Sequence, residues 1–182
     1  PPPRPEPPRP SPAASPFEPP VSRSLGPSLT AELLARLSQA DLRSHLGKAI
    51  PLITLDAEGR PHPMLLSYLE VRAEDPRTIR VVIGAGSRSA RNLTDRRVAT
   101  LLLVEPEQTV YVKARARTGP VPLEDLPACG LFVLEVEDVL EDAPAEWEGG
   151  LRISGGLRYA PAPSLDEPWA GAILKALTRG RG

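Results

Sequence analysis

The feature that most constrains the fold of this chain is a series of short strand-like segments with little sequence between them. Their β-branched or alternating apolar residues, and the turn-rich links between neighbours, are typical of antiparallel pairing. One short helix fits among them. The sequence therefore predicts a mainly β fold with peripheral helices, a six-stranded antiparallel barrel with strands at 50–55, 64–71, 78–83, 98–104, 109–117 and 131–140.

Leucines at helical spacing flank this series of strands. Ser28 or Thr30 is placed to cap a first helix, whose apolar face is formed by Leu29, Leu33, Leu34 and Leu37. A second short helix is predicted at 40–46, ending at Gly47, and one helical turn at 123–126. Near the C-terminus, 169–177 has one apolar helix face.

The fifth strand shows the clearest alternation. One side is apolar, and the other side is formed by Tyr111, Lys113, Arg115 and Arg117. Successive residues of a strand point to opposite faces of the sheet, so the apolar side packs inward. For the polar side, a ligand-lined face and a plain solvated face both remain open.

The N-terminal segment has a different composition from the rest. Half of the 24 prolines lie within the first 27 positions, where the large apolar side chains are Phe17, Val21 and Leu25. So few apolar groups do not offset the entropy of ordering a chain. We therefore predict a flexible proline-rich tail at 1–27 and one globular domain at 28–182.

Composition also bounds the function. A net charge of −1 and the lack of a basic stripe argue against nucleic acid as a partner. No apolar run reaches membrane-span length and the start of the sequence lacks a signal-peptide core, so we expect a cytoplasmic protein with no membrane partner. One cysteine, Cys129, and two histidines, His45 and His62, do not make a metal cluster by spacing, so no metal is predicted.

The chemistry is concentrated at Ser87-Arg88-Ser89-Ala90, directly after the strand 78–83 and the turn Gly84-Ala85-Gly86. This order predicts a strand, a tight turn and a helix start. Free backbone N–H groups and the positive end of the helix dipole favour an anion at such a position, and Arg88 and Ser87 add a cation and a hydroxyl. An ordinary helix cap with solvated arginines is the alternative.

Four stretches in this order resemble the FMN-binding split-barrel family, the pyridoxamine 5′-phosphate oxidase-like flavoproteins. They are ITLDAEGRPHPMLLSYLEV, IRVVIGAGSRSARNL, RRVATLLLVEPEQTVYVKARA and LFVLEVEDVLED, and the resemblance covers roughly 29–142. Its most specific part is Ser87-Arg88-Ser89-Ala90, which is similar to the family's Ser-Arg-Lys-Ala phosphate-binding stretch. Next is Glu107-Gln108-Thr109-Val110, similar to the family's glutamine before an apolar strand.

The resemblance implies a split barrel of FMN-binding type, a homodimer with the flavin at the subunit interface, and a small-molecule substrate. It implies that Ser87 and Arg88 bind the FMN phosphate and that Gln108 bonds the pyrimidine end of the flavin. The full set of implied cofactor-binding residues is Met64, Leu65, Leu66, Ser67, Ile83, Gly84, Ala85, Ser87, Arg88, Ser89, Asn92 and Gln108. The catalytic residues are not identified by sequence.

Two departures affect the expected chemistry. Ser89 stands where the family has a lysine, and Arg91 partly offsets that loss of charge. The stretch 63–68 lacks the basic residues that the oxidase itself carries there, which argues against pyridoxamine 5′-phosphate as the substrate. The sequence thus predicts an FMN-dependent oxidoreductase of unknown substrate. The alternatives are a non-catalytic protein of this fold that holds FMN, haem or F420, or a cofactor-free structural or regulatory dimer.

Overall fold

A computed structural model describes residues 22–106, 108–142 and 150–179. In this part of the chain eight strands form one sheet: β1 (Arg23–Gly26), β2 (Ala49–Leu55), β3 (Pro61–Ser67), β4 (Val71–Asp75), β5 (Thr78–Gly84), β6 (Val98–Val104), β7 (Thr109–Pro122) and β8 (Cys129–Asp142). Four helices accompany it: α1 (Ala31–Leu37), α2 (Leu42–His45), α3 (Arg88–Asp95) and α4 (Pro168–Thr178).

Every strand pairing in the sheet is antiparallel, in the order β3-β2-β6-β7-β8-β5-β4, with β1 added to β8. Strands β2 and β6 alternate between buried and half-buried residues along their length, as a curved sheet around one core requires. The core contains Leu52, Leu101, Val112, Phe132 and Leu134, each fully buried. The predicted mainly β, antiparallel fold with peripheral helices is confirmed.

Several predicted boundaries hold closely. The fourth predicted strand has the bounds of β6, and Thr30 caps α1 by accepting the Leu33 N–H at 3.3 Å. The fifth and sixth strands are longer than predicted, because β7 and β8 continue to pair past their alternating segments. The predicted helical turn at 123–126 is wrong, since these residues form a non-helical turn before β8. Helix α2 is shorter than the predicted 40–46.

The predicted tail at 1–27 extends too far. Arg23–Gly26 is strand β1 and pairs with β8, while the preceding residues 1–21 lie outside the described part. Polar contacts to β8 hold this strand: Arg23 binds Glu141 and the Ser24 hydroxyl donates to Asp138 at 2.7 Å. Leu25 packs against the core. Because the partners are more than a hundred residues away, composition alone gives no sign of them.

The predicted second strand at 64–71 is two strands separated by a 3₁₀ turn at Tyr68–Glu70. The Glu70 carboxylate accepts from the Ser67 N–H at 2.7 Å and from its hydroxyl at 2.9 Å. This reciprocal cap stops β3 and redirects the chain into β4. The sheet therefore has eight described strands rather than six, with β3 and β4 at opposite ends of its pairing order.

The helices close the remaining surfaces. Helix α3 packs against β2, β3, β5, β6 and β7, and buries Ala90 and Leu93. Helix α4 covers the outer face of β5 through Ile173 and Leu177, which pack with Val82 and Leu123. No helix in the described residues is long and apolar enough to cross a membrane.

Candidate functional site

A gap in strand pairing runs between β3 and β5. Strand β3 is hydrogen-bonded to β2 on one side and has no other partner among the described strands. Strand β5 pairs with β4 up to Val81, and its last residues, Val82 to Gly84, pair with β8 alone. Helix α3 and the 3₁₀ turn each pack against both β3 and β5. The gap, called the split below, leaves one edge of β3 and the last residues of β5 without a strand partner in the described part of the chain.

The start of α3 lies at the end of this split. Ser87 is the N-cap, with its hydroxyl oxygen accepting the Ala90 N–H at 3.1 Å. The turn before it is fixed because Ser87 N–H donates to the Gly84 carbonyl at 3.0 Å and Ala85 N–H donates to Ala128 at 2.9 Å. Of the first helical turn, the Ala90 N–H is thus taken, and those of Arg88 and Ser89 have no hydrogen-bond partner among the described residues. The predicted strand, turn and helix order is confirmed.

The basic residues of this turn differ in what they contact. Arg88 is exposed, and it forms no ion pair with any residue in the described part of the chain. Arg91 instead donates to the Gly86 carbonyl at 3.1 Å and so braces the turn. Ser89 is 1% exposed, so its hydroxyl lies within the packing of α3 on the sheet. A phosphate can reach Ser89 through its backbone N–H and Arg88 through its side chain.

Asn92 connects the helix to the sheet. Its side-chain amide donates to the Thr54 hydroxyl at 2.9 Å, and that hydroxyl donates to the His62 carbonyl at 3.2 Å. Thr54 is fully buried. The chain of bonds ties α3 to β2 and β3 and holds the helix start in place. In this position Asn92 orients the site.

The β3 residues divide by exposure. Leu65 is 48% exposed, whereas Leu66 is fully buried and Met64 packs partly against the core. Ser67 is buried and its hydroxyl is taken by Glu70. Leu66 and Ser67 therefore face the split with backbone groups. Ile83 is 1% exposed and its side chain belongs to the core, so β5 also presents backbone rather than side chain.

Glu70 is the residue at this site that sequence reasoning missed. Burial raises the pKa of its carboxyl, although the two Ser67 bonds oppose that shift. Its negative charge also raises the pKa of the Cys129 thiol and of the Tyr159 hydroxyl, each of which is raised mainly by burial. Cys129 pairs with Gly84, so Glu70 lies on the β5 side of the split. The Ser67-x-x-Glu70 spacing of a capping box was the available signal.

Gln108 lies apart from the other predicted residues. It directly precedes β7, and its side-chain amide donates to Glu141 at 3.0 Å near the end of β8. Gly84 instead pairs with Cys129 at the start of β8. Gln108 approaches the split only through Glu105, whose carboxylate accepts from the Tyr68 hydroxyl at 3.4 Å. In the described part of the chain Gln108 makes no hydrogen bond to β3, β5 or the start of α3.

Gln108 nevertheless keeps a free acceptor. Its Oε1 is buried without a hydrogen-bond partner among the described residues. The Gln108 side-chain bond lowers the pKa of the Glu141 carboxyl, with Arg23 contributing next. Glu107, which precedes it in the motif, lies outside the described residues.

The polar face of β7 is explained by ion pairs. Arg115 binds Glu137 at 2.6 Å, Arg117 binds Glu135, and Arg77 reaches the same Glu135 at 3.3 Å. Most of these side chains are well exposed. The solvated-face alternative therefore accounts for Arg115 and Arg117.

The donor set of the split fits a phosphorylated flavin at one end. An exposed cation without a counter-ion, a hydroxyl and free helix N–H groups meet at Ser87 and Arg88, which is what a phosphate requires. The adjoining edges of β3 and β5 lack a strand partner on this side, although the Ser67 N–H is taken by Glu70 and the Gly84 carbonyl by Ser87. No group of acidic, cysteine and histidine residues in the described segments is arranged to hold a metal ion.

A scan against protein-family models and a search of curated proteins found no significant match. Solved structures similar to this chain include a candidate pyridoxamine 5′-phosphate oxidase of Lactobacillus delbrueckii, at 19% identity and TM-score 0.49, covering 64% of this chain and 97% of that one. An FMN-binding protein of Syntrophomonas wolfei matches at 13% identity and TM-score 0.45, covering 63% and 89%. HutZ, the haem storage protein of Vibrio cholerae, matches at 16% identity and TM-score 0.40, covering 56% and 90%.

These matches belong to the group of proteins that the sequence resembles. With identities below 20% and TM-scores below 0.5, they carry no functional argument. The fold is established by the strand register itself, and function is argued from the residues.

Proposed function

We propose that this protein is a homodimeric FMN-dependent oxidoreductase that acts on a small molecule. One observation carries the proposal: the uncompensated Arg88 and the capped start of α3 stand at the end of a split lined by two unpaired backbone edges. The cofactor-binding role of these residues rests on this geometry and on the sequence resemblance. A cytoplasmic location stays a prediction from sequence.

The phosphate end is formed by the first turn of α3. Arg88 donates to phosphate oxygens from its side chain, and the Ser87 hydroxyl, whose oxygen already serves as the helix cap, keeps its own hydrogen for donation. Helix N–H groups complete the cradle without further charge. Asn92 keeps the helix start in register through Thr54.

A bound flavin supplies the redox chemistry by accepting a hydride, so the protein needs neither a nucleophile nor a metal. The chain's own residues position the bound molecules and exclude water from them. Met64 packs against the core from β3, and the exposed Leu65 lies on the opposite face of that strand. On the β5 side, burial raises the pKa of the Glu70 carboxyl, while the Ser67 N–H and hydroxyl hold one of its oxygens in place.

The dimer is supported by the outer face of the sheet. Across β3, β2, β6, β7 and β8, neighbouring positions on that face are apolar and partly exposed: Leu65, Pro63, Pro51, Ile53, Leu102, Tyr111 and Leu140. A contiguous apolar patch of this kind marks an association surface. Since Gln108 makes no hydrogen bond to the split of its own chain among the described residues, we assign it to the flavin bound in the split of the second copy.

The test is a visible spectrum of the purified protein followed by titration with FMN. We expect flavin absorbance, or saturable FMN binding with one site per chain, in a particle of dimer mass by light scattering. Matched titrations with F420 and haem identify a different cofactor if either binds more tightly. A colourless protein that ignores all three would refute the cofactor proposal, and a flavin-loaded monomer would refute the dimer.

A further inference from the structure

A half-open cavity lies on the outer face of the sheet, beneath α4. It measures about 300 Å³ and is bordered by β7 and β8, the turn that joins them, and one side of α4. Its walls are mainly apolar, with Leu131 and Val133 from the sheet and Leu123 from the turn. These side chains point away from Phe132 and Leu134, which fill the barrel.

Small residues on α4 create this space. The helix docks through Ala170, Ile173 and Leu177, all buried. Ala172 and Ala176, four residues apart on one side of the helix, line the cavity with methyl groups. Apolar wall atoms that face unfilled space gain dispersion contacts when an apolar group enters it.

A buried arginine also lines this cavity. The Arg80 side chain is 4% exposed, and its Nε donates to Glu74 at 2.8 Å, while Nη1 donates to the Arg179 carbonyl. A guanidinium has five N–H groups, and the second terminal nitrogen of Arg80 has no hydrogen-bond acceptor among the described residues. This nitrogen is not among the buried atoms that lack a partner, so its N–H groups remain accessible to a ligand in the cavity.

The other charges of the cavity are at its rim. Lys175 pairs with Asp125, and Arg179 pairs with Glu124 at 3.5 Å, all with well-exposed side chains. Together with Arg80, the lining holds three cations and two carboxylates, and the third carboxylate, Glu74, pairs with Arg80 from outside the lining. The charges therefore balance, and Arg80 is the buried cation of the set.

We propose that this cavity binds a small amphipathic monocarboxylate. Its carboxylate accepts from the remaining Arg80 donors, and its hydrocarbon chain lies against Leu123, Leu131 and the α4 alanines. A volume of about 300 Å³ holds roughly ten water-sized groups of about 30 Å³ each, which suits a chain of about eight carbons. The proposal does not depend on the flavin site.

The test is calorimetric titration of the full chain with octanoate as probe. Octanol, an uncharged analogue with the same number of carbons, is the control ligand. We expect one octanoate per chain, with octanol at least tenfold weaker. Ala176→Phe fills the cavity, so it should weaken octanoate at least tenfold without lowering the melting temperature. The control Ala35→Phe, an exposed position on α1, should bind octanoate as the wild type does.

Arg80→Met tests the charge, with loss of the preference for octanoate over octanol as the expected result. If that variant does not fold, the comparison of wild type with Ala176→Phe still decides whether octanoate binds in this cavity. Equal octanoate binding by wild type and Ala176→Phe, or none by wild type, would overturn the site. Equal binding of octanol and octanoate by wild type would overturn the carboxylate assignment.

Discussion

The two parts of the proposed flavin site differ in how they are built. The phosphate end, from Gly84 to Arg88, is local: a strand, a turn and a capped helix start follow one another within a few residues. The Gln108 end is assembled from distant parts of the chain, with Glu141 on β8 and Arg23 on β1. The first presents a free cation, whereas the second presents an amide already engaged by a carboxylate.

This difference concerns what each end contributes to binding. A free cation gains a full charge-assisted contact when phosphate arrives. An amide bonded to Glu141 contributes through its unpartnered Oε1, which suits recognition of a ring N–H more than strong attraction. We therefore expect affinity to depend mainly on Arg88 and ring selectivity to depend on Gln108.

The largest expected effect comes from removing the free cation. Arg88→Ala should weaken FMN binding roughly tenfold to a hundredfold, since a charge-assisted contact is worth about 1.5–3 kcal/mol. Fluorescence titration of FMN measures it. Arg43→Ala, an exposed arginine on α2, is the matched control and should leave the dissociation constant unchanged. An unchanged constant for Arg88→Ala would remove the phosphate assignment.

Deleting the N-terminal segment tests the Gln108 end, which depends on contacts between distant parts of the chain. Removal of 1–27 takes away β1, including the Arg23 contact to Glu141 and the packing of Leu25. We expect a loss of roughly 1–2 kcal/mol, or about 3–8 °C in melting temperature for a domain of this size. Deleting 1–21 instead keeps β1 and is the control. Equal melting temperatures for the two truncations would show that β1 adds nothing to the fold.

Sequence reasoning predicted the phosphate end well and the surroundings of the Gln108 end poorly, for one physical reason. Ser87 as a helix cap follows from neighbouring residues, as does the alternation of β6. Strand β1 has one core-facing leucine in a proline-rich context, and its stability comes from β8. Likewise, the otherwise apolar run at 64–71 predicts one continuous strand. The prediction fails at Glu70, because its hydrogen bonds to Ser67 interrupt the strand there.

A smaller, pH-dependent effect is expected near the Gln108 end. Glu105 shares backbone hydrogen bonds with Gln108 and receives the Tyr68 hydroxyl, and the His45 ring stacks on Tyr68 at 4.8 Å. Burial, followed by the charge of Lys48, lowers the pKa of His45.

The unfolded chain therefore takes up this proton before the folded one does, and stability is lost as pH falls from the usual imidazole range through the lowered value. His45→Phe keeps a ring beside Tyr68 and removes the titration. Chemical denaturation between about pH 7.5 and pH 5.5 should show a flatter stability profile for this variant than for wild type. Parallel profiles would exclude His45 as the source.

The smallest expected effect is the absence of one activity. Pyridoxamine 5′-phosphate should not be turned over by the FMN-loaded protein, because the split offers the substrate phosphate no second cationic clamp and places Glu70 beside Ser67. Aerobic formation of pyridoxal phosphate is the assay. Turnover near one per second, an ordinary enzyme rate, would contradict this exclusion.

The most direct test of the two-ended site is complementation between Arg88→Ala and Gln108→Ala chains, co-expressed with different tags and assembled as mixed dimers. If each flavin uses Arg88 of one copy and Gln108 of the other, a mixed dimer has one site with both residues and one site with neither. At random assembly about one site in four then has both residues, and only those sites combine wild-type FMN affinity with the wild-type preference for FMN over F420. If both residues served the same copy's flavin, no site in the mixture would combine the two properties, and that result would contradict the account.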